Sequence, residues 1–302
     1  MAAKENLITF VTGISNGPRI AALERNGKVQ IWEIEKNERI SRFDTIIERV
    51  SHRIAISPDG KLLAVGAYSQ NGVSLYDTNT GRELWNRSDL NQVQKVRFSP
   101  SGDTVVAAFN EHQATFLDCK NGRSERLSWF KKRISGIRDV YESPFNSMFV
   151  HEQWDDDLQI TTTEHIPLNS IPRKTFGVLD YAFSLDQLTI SESTGPVTCY
   201  NMLSGQELWE FAPGNGVHGL CISFVPELNA YATIAWPYED GGDHALYLLD
   251  RPNGNQLNQH GVPNGAPAFI RDGKQMLFSD GTIINTLNGD THHSIEFMAD
   301  IR

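Results

Sequence analysis

The sequence predicts an all-β fold, a ring of seven four-stranded antiparallel blades known as a β-propeller. Two turns that recur along the chain lead to this prediction. The first consists of Asp or Asn, three polar or turn-forming residues and then Gly, and its clearest copies are Asp77–Gly81, Asp118–Gly122, Asn201–Gly205 and Asp250–Gly254. Glycine suits the fifth position because a left-handed backbone there would strain any side chain. We expect each copy to join the third and fourth strands of a blade.

The spacing of this turn predicts the number of blades. Weaker copies end at Asn37 and Gly289, and the successive copies lie 44, 41, 83, 49 and 35 residues apart. The longest step is most simply one degenerate unit between two visible ones, which makes six intervals of about 42 residues. Six intervals require seven units, and each has the length that is typical of a propeller blade.

The second turn is expected to join the first and second strands. Ser57-Pro-Asp-Gly60 and Ser99-Pro-Ser-Gly102 follow short alternating runs, and Pro and Gly at these positions are typical of tight turns. Weaker copies are Ser184-Leu-Asp-Gln187, Val225-Pro-Glu-Leu228 and Arg271-Asp-Gly273. Short apolar runs such as Leu62–Val65 come next, and they indicate strands that are covered on both faces.

One propeller domain is predicted over residues 1–302. The blades are expected at approximately 7–43, 50–88, 93–128, 134–171, 178–211, 217–258 and 266–300. The fourth unit, from Ile134 to Ile171, shows neither turn in the sequence, so its strand limits are the least defined. Leu7–Val11 is either the first strand of the first unit or a strand that completes the last blade. A terminal strand at Ser294–Phe297 favours simple end-to-end closure.

The pattern resembles the WD-repeat family of β-propellers over nearly the whole chain. Trp32-Glu33 stands where that family has a Trp-Asp pair at the end of the third strand. Corresponding pairs are Tyr76-Asp77, Leu117-Asp118, Tyr200-Asn201 and Leu249-Asp250. The family's Gly-His element is not recognisable, although Ser51-His52 lies near its place. The resemblance implies the architecture and no particular subfamily.

Two segments resemble the tryptophan docking repeats of quinoprotein dehydrogenases. They are Thr80-Gly-Arg-Glu-Leu-Trp85 and Ser204-Gly-Gln-Glu-Leu-Trp209. The resemblance implies secreted eight-bladed enzymes with a quinone cofactor and calcium. This chain has two such units, no adjacent cysteines and no signal-peptide pattern. We therefore expect Trp85 and Trp209 to pack between blades.

Composition and motifs favour a cytoplasmic protein without a cofactor or a metal ion. The formal charge of −10 and the pI near 5.4 disfavour binding to nucleic acid or acidic membranes. Cys119, Cys199 and Cys221 define no disulfide framework. His292-His293 would point to opposite faces of a strand, and Asp155–Asp157 lacks the alternation of a calcium loop. No catalytic motif is recognisable, so an enzyme is the less favoured reading.

The face at which the second-to-third-strand loops and the inter-blade connectors emerge, here called the loop face, is the predicted partner-binding surface. Aromatic residues and Arg dominate binding hot spots, and acidic residues beside them suit a basic or mixed partner. The predicted residues are Trp129, Phe130, Arg133, Trp154, Asp156, Trp236, Tyr238, Glu239, Asp240 and His244. The alternative is that the charges neutralise one another and the aromatic residues pack within the ring. The preferred function is a non-catalytic scaffold for a protein or peptide partner, monomeric on its own.

The second function considered is an enzyme or small-ligand binder at the mouth of the central channel. The first strand of each blade lines the channel, and His52, Asp139, Asp180 and His218 lie near the starts of such strands. These groups could converge on a ligand. They could equally pair with one another and with water in the channel.

Overall fold

The computed structural model describes residues 7–13, 17–47, 53–68, 71–109, 113–125, 137–146, 148–153, 157–162, 166–175, 178–192, 194–214, 217–237, 244–263, 265 and 267–297. Over these residues the chain forms seven four-stranded antiparallel sheets, and the strands of each sheet follow one another in sequence. The prediction of a seven-bladed all-β propeller is confirmed.

The strands of the first four blades alternate with short turns and loops. Blade one contains β1 (Ile8–Gly13), β2 (Arg19–Glu24), β3 (Lys28–Glu33) and β4 (Glu38–Asp44). Blade two contains β5 (Ile54–Ile56), β6 (Leu62–Gly66), β7 (Val73–Asp77) and β8 (Glu83–Arg87). Blade three contains β9 (Lys95–Phe98), β10 (Thr104–Phe109), β11 (Gln113–Asp118) and β12 (Ser124–Glu125). Blade four contains β13 (Ile137–Glu142), β14 (Met148–Gln153), β15 (Leu158–Thr162) and β16 (Pro167–Ile171).

The last three blades repeat the same order. Blade five contains β17 (Val178–Ser184), β18 (Gln187–Glu192), β19 (Val197–Asn201) and β20 (Glu207–Phe211). Blade six contains β21 (Val217–Val225), β22 (Ala230–Pro237), β23 (Ala245–Asp250) and β24 (Gln256–Gly261), with one 3₁₀ turn at Pro226–Leu228. Blade seven contains β25 (Pro267–Ile270), β26 (Gln275–Phe278), β27 (Thr282–Asn285) and β28 (Thr291–Ser294).

The position of a strand in its blade decides its burial. Second strands such as β18 are buried along their whole length, whereas outer strands such as β24 are largely exposed. In the described residues the buried apolar side chains form seven clusters, and each cluster joins one pair of neighbouring blades. Each blade therefore covers both faces of its inner strands with its two neighbours, as the continuous apolar runs predicted.

The ring closes by packing blade seven against blade one. β1 pairs with β2 inside blade one, so it does not complete the last blade. The amide of Gln30 donates to the Phe297 carbonyl at 3.2 Å, and the rings of Trp32 and Phe297 meet edge to face at 5.7 Å. Of the two closures that the sequence allowed, the structure has the simple end-to-end one.

The outer-strand tryptophans pack between blades, as expected. Trp85 of blade two lies against Gly122 of blade three, where an added Cβ would be 2.9 Å from the indole ring. Its indole N–H donates to the Cys119 carbonyl at 2.9 Å. Trp209 of blade five lies in the same way against Gly254 of blade six and donates to the carbonyl three residues before that glycine at 2.8 Å. The turn needs glycine for two reasons: the backbone has a positive φ there, and the indole ring leaves no room for a Cβ.

Other junctions keep this contact with different side chains. Phe43 lies against Gly81, Asn169 against Gly205, and His260 against Gly289. In these five junctions the recurring turn thus marks the point at which a blade receives the outer strand of the previous one. The side chain that covers the turn differs among these junctions, whereas each turn has glycine at the covered position.

The sequence reading of the fourth blade is wrong on one point. Ser143-Pro-Phe-Asn146 is a copy of the second turn, because the Ser143 N–H donates to the Met148 carbonyl at 2.9 Å. The equivalent bonds in blades two and three start at Ser57 and Ser99 and have the same length. This copy escaped detection because Phe replaces the polar third residue and Asn replaces the final Gly.

Candidate functional site

Most of the predicted partner-binding residues lie outside the described part of the chain. These are Trp129, Phe130, Arg133, Trp154, Asp156, Tyr238, Glu239 and Asp240, and the predicted channel residue His52 is also outside it. Trp236 lies in β22, and His244 directly precedes β23. The structure therefore locates these two residues, and the loop-face assignment of the whole set stays a prediction.

Blade six is extended towards the loop face. β21 has nine residues and β22 has eight, and their pairing continues past Ala235, where the pairing of β22 with β23 ends. In this extension Trp236 pairs with His218, and Pro237 pairs with Val217. A residue of the partner-binding prediction and a residue of the channel prediction are thus cross-strand neighbours. The extension projects about two residues, or roughly 7 Å, beyond the neighbouring strand.

The other two predicted channel residues, Asp139 and Asp180, lie beside cations that the sequence analysis did not select. Nε of Arg97 in β9 lies 3.1 Å from a carboxylate oxygen of Asp139 in β13. Asp180 in β17 accepts a hydrogen bond of 3.0 Å from the N–H of Ile222 in β21. Lys95 precedes Arg97 by two positions on the same strand and interacts electrostatically with the carboxylates of Asp139 and Asp180. First strands of four consecutive blades therefore contribute to one charged cluster.

A row of aromatic and charged groups continues from this cluster into the junction of blades four and five. The guanidinium of Arg97 lies 3.7 Å from the centre of the Tyr141 ring, which lies 3.9 Å from the Tyr181 ring. The Tyr181 hydroxyl donates to Glu152 at 3.2 Å, and a nitrogen of Arg173 lies 3.8 Å from the other oxygen of that carboxylate. Asp139, Tyr141, Glu152 and Tyr181 are almost fully buried, so these charges are compensated mainly by one another.

The surroundings shift the pKa values of the cluster in different directions. Burial lowers the pKa of Arg97, but Asp139, Tyr141 and Asp180 outweigh it, so that this pKa lies above its ordinary value. Burial, followed by the charge of Arg97, lowers the pKa of Lys95. Burial also raises the pKa of Asp180 and holds the pKa of Tyr141 well above its usual range. Arg97 is therefore a permanent cation that anchors the cluster, and Tyr141 stays a neutral hydroxyl.

The three cysteines are poorly suited to nucleophilic chemistry. Burial is the main influence on all three, and it raises the pKa of Cys119 to about 12 and of Cys199 to about 11. The pKa of Cys221, which lies near Asp180, is also raised. The thiolate is the reactive form, and these thiols stay protonated near neutral pH. Among the described residues, no group of three or more His, Cys, Asp or Glu side chains could hold a metal ion.

Sequence reasoning selected the acidic half of this cluster and missed the basic half. The run Lys95-Val-Arg-Phe98 carries two cations two positions apart on a first strand, and alternate residues of such a strand share a face. That alternation was the available evidence for Lys95 and Arg97. Tyr141 could be placed only after the register of β13 was known.

Comparison with known proteins supports the architecture. Residues 2–145 match the family model described as "Outer membrane protein assembly factor BamB". The computationally designed protein Ika8 is similar over 96% of this chain and 86% of its own, with 16% identity and a TM-score of 0.65. The β-propeller domain of Cps50 (Swd1) from Myceliophteria thermophila is similar over 93% of this chain and 95% of its own, with 13% identity and a TM-score of 0.70. At these identities the likeness concerns the fold.

The family match covers slightly less than half of the chain and contains the first of the two tryptophan units, at Trp85. The match ends within the Ser143–Asn146 turn of blade four. In the described residues no helix is long and apolar enough to cross a membrane.

Proposed function

We propose that this chain is a non-catalytic interaction scaffold that binds a protein or peptide partner through the loop face of the propeller. The observation that carries the proposal is the extension of β21 and β22, which projects Trp236 beyond the neighbouring strand. A rigid two-stranded extension is a suitable base for a binding loop, because loops carry function where a scaffold holds their ends. The segment that follows in the sequence contributes Tyr238, Glu239 and Asp240.

The state of the channel groups favours binding over catalysis. Arg97 is paired with Asp139, Asp180 accepts a backbone N–H, and the thiols are protonated. A general base or nucleophile needs a free lone pair and a pKa near the working pH. These described groups instead satisfy one another, which suits a structural wall of the channel.

A WD-repeat relationship is part of this proposal. The four-stranded order, the third-strand pairs Trp32-Glu33 and Tyr76-Asp77, and the similarity to the Cps50 (Swd1) propeller support it. The match to the BamB family model supports a propeller repeat over residues 2–145. Fold likeness alone does not assign a partner, so the partner is defined by the chemistry of the surface.

The test is a pull-down from the native host with the double variant Trp236→Ala/Tyr238→Ala. Truncation of two aromatic anchors is expected to weaken binding by at least tenfold. Leu84→Ala is the matched control, because Leu84 is an exposed apolar residue on β8, far along the chain from this extension. Full recovery of the same partners by the double variant, with its folding confirmed, would reject the loop face as the binding surface.

A second candidate is binding of a small anionic ligand in the channel beside Lys95. The observation that favours it is that two cations, Lys95 and Arg97, lie two positions apart on one strand, and that burial lowers the pKa of Lys95. Thermal unfolding measured with a panel of phosphates and carboxylates, together with metal analysis, would test it. An increase in Tm that Lys95→Met abolishes would support this candidate, and the absence of any increase would reject it.

A further inference from the structure

We infer that this propeller carries a second binding surface on the face opposite the loop face, and that it takes a short basic peptide with two or three large apolar side chains. This opposite face, at which the first-to-second and third-to-fourth strand turns emerge, is here called the turn face. The surface consists of Phe145, Leu185 and Leu203 and is here called the turn patch. The inference rests on the proposed function as an interaction scaffold, but the residues of the turn patch are not those of the loop face.

Three turns from two blades are bonded side by side in the turn patch. The side-chain amide of Asn146 in blade four donates to the carbonyl of Leu185 in blade five at 2.7 Å. The N–H of Met202 donates to the carbonyl of Asp186 at 2.9 Å, which joins the two turns of blade five. The same Asn146 amide lies 3.9 Å from the sulfur of Met202. The tips of the three turns therefore form one continuous surface.

Each turn presents a large apolar residue to solvent at its tip. Phe145 is 46% exposed, Leu185 is 62% exposed and Leu203 is 63% exposed. Scattered exposed leucines are normal on a protein surface, whereas a contiguous apolar patch marks a binding site. The rings of Phe145 and Phe224 also form a T-shaped contact, with their centroids 6.4 Å apart.

The equivalent turns of blade two carry polar residues at the positions of Phe145 and Leu203. Phe145 corresponds to Asp59 of blade two, whose carboxylate accepts from Ser57 Oγ at 2.7 Å and from the Lys61 N–H at 3.0 Å. Leu203 corresponds to Asn79, the third residue of the Asp77–Gly81 turn. A phenylalanine ring cannot accept these hydrogen bonds, so blade four gives up a stabilising turn interaction and exposes an aromatic ring.

Leu185 also opposes the local preference of the backbone. Its φ is 50°, in the left-handed region that bulky residues rarely adopt. The corresponding turns of blades two and three carry Pro58 and Pro100 at this position, and their residue of positive φ is the glycine two positions later, Gly60 or Gly102. Backbone strain of this kind clusters at functional sites.

The size and charge of the turn patch indicate its occupant. Three side chains at these exposures present on the order of 300 Å² of apolar surface, whereas a standard protein–protein interface removes about 800 Å² from each partner. The patch therefore fits a short segment and is too small for a stable pair of folded domains. A second copy of this chain is further disfavoured, because each copy carries a net charge of −10.

The charged pair beside the patch favours basic residues in the peptide. Arg251 binds Asp186 at 2.9 Å, and the arginine side chain is 17% exposed while the carboxylate side chain is 55% exposed. The exposed charge at the rim is thus negative. A Lys or Arg flanking the apolar anchors would meet this carboxylate, and the contact would weaken with added salt.

The experiment is selection of displayed 12-residue peptides on the full chain, followed by fluorescence anisotropy with synthetic copies. The test variant is Phe145→Asp/Leu185→Asn/Leu203→Asn, in which each new residue is of a type that suits its turn, and asparagine tolerates positive φ. The matched control is Leu287→Asn, because Leu287 is 48% exposed at the equivalent place in blade seven. Leu203→Asn alone, and thermal unfolding of every variant, guard against loss of folding.

We expect the enriched peptides to carry at least two large apolar residues and a net positive charge. Their affinity should fall at least tenfold in the triple variant and stay within twofold in Leu287→Asn and Trp236→Ala. Enrichment of acidic or wholly polar peptides, absence of any enriched peptide, or equal binding to the triple variant would overturn the inference. A dimer in sedimentation velocity that the triple variant abolishes would replace the peptide by a second copy and overturn the proposed occupant. Binding that depends on Trp236 but not on the turn patch would overturn this inference while supporting the proposed function.

Discussion

The junction between blades two and three and the junction between blades four and five solve the same packing problem with different chemistry. At the first, Trp85 covers Gly122 and donates to a carbonyl, and the polar turns satisfy their own hydrogen bonds. At the second, Asn169 takes the place of the tryptophan, and its side-chain amide donates to the Met202 carbonyl at 3.4 Å. Buried Glu152 and Arg173 lie inside that junction, and apolar residues lie on its turns.

The difference shows where this repeat tolerates departures from its pattern. A regular junction is stabilised by burial of apolar surface, which needs no particular partner beyond shape. The irregular junction buries charged groups, Glu152 and Arg173, which are stable there only when they are paired. It also exposes large apolar side chains on its turns. Such departures are expected where a surface or a channel wall has a role besides stability.

Removal of the buried cation is expected to have the largest effect on this comparison. Arg173→Met removes the cation that lies 3.8 Å from the Glu152 carboxylate, which is 3% exposed, and should lower the free energy of unfolding by about 3–5 kcal/mol. Arg87→Met at the regular junction removes a pair in which Asp89 is 63% exposed, together with hydrogen bonds to the Gly122 carbonyl and the Ser124 hydroxyl, and it should lower that free energy by about 1–2 kcal/mol. Urea unfolding measures both. Equal losses would show that the two junctions do not differ energetically.

Truncation of the docking side chains should give the next largest difference. Trp85→Ala removes a half-buried indole and its hydrogen bond, so a loss of about 3 kcal/mol is expected. Asn169→Ala removes one long hydrogen bond and little apolar surface, so a loss of about 1 kcal/mol is expected. Thermal unfolding of both variants gives the ratio of the two losses in stability. The proposed equivalence of the two positions fails if Asn169→Ala is the more damaging change.

Leu185→Asn is expected to stabilise the irregular junction. Asparagine tolerates a φ of 50° better than leucine, so the free energy of unfolding should rise by about 1 kcal/mol. Leu203→Asn in the adjacent turn changes no strained backbone and should stay within about 0.5 kcal/mol of the wild type. Differential scanning calorimetry of the two variants distinguishes them. A loss of stability in Leu185→Asn would mean that the leucine side chain is held by packing.

The last expected difference is the sign of a pH dependence. Burial raises the pKa of Glu192 at the irregular junction, against hydrogen bonds from the N–H groups of Lys174 and Thr175. Between the unfolded pKa of about 4.3 and the raised folded pKa, the folded state binds more protons, so stability falls as pH rises. Glu192→Gln should therefore gain stability relative to the wild type as pH rises through this window.

Glu24 of blade one provides the opposite case. Burial raises its pKa, but hydrogen bonds from Arg42 and Gln30 outweigh burial, and the pKa lies below its ordinary value. Its contribution is present above the unfolded pKa and is lost as pH falls through the folded pKa. Glu24→Gln should therefore lose stability at neutral pH, and the loss should shrink on acidification. Urea unfolding between pH 3 and 8 tests both variants, and slopes of the same sign would contradict the assignment.

The local features of the fold could be predicted from the sequence, and the candidate site could be predicted only in part. The turns at Gly81, Gly122, Gly205 and Gly254 have positive φ, as their glycines indicated. The Ser143–Asn146 turn was missed because its Phe and Asn hide the pattern, although the backbone bond is the same. Asp139 was selected by its place near a strand start, but its partner Arg97 was not, because no local pattern relates the two.

The sequence by itself determined the number of blades, the order of strands within each blade and the conformation of most turns. These features depend on residues a few positions apart, and the backbone freedom of glycine or proline acts at the residue itself. Only the tertiary structure decided which side chains meet across the junctions. Trp85 and the Cys119 carbonyl are 34 residues apart, and Arg97 and Asp139 are 42 apart, about one blade along the chain in each case. Contacts at that separation depend on the register of several strands and the rotation between neighbouring blades, which no short segment of the chain encodes.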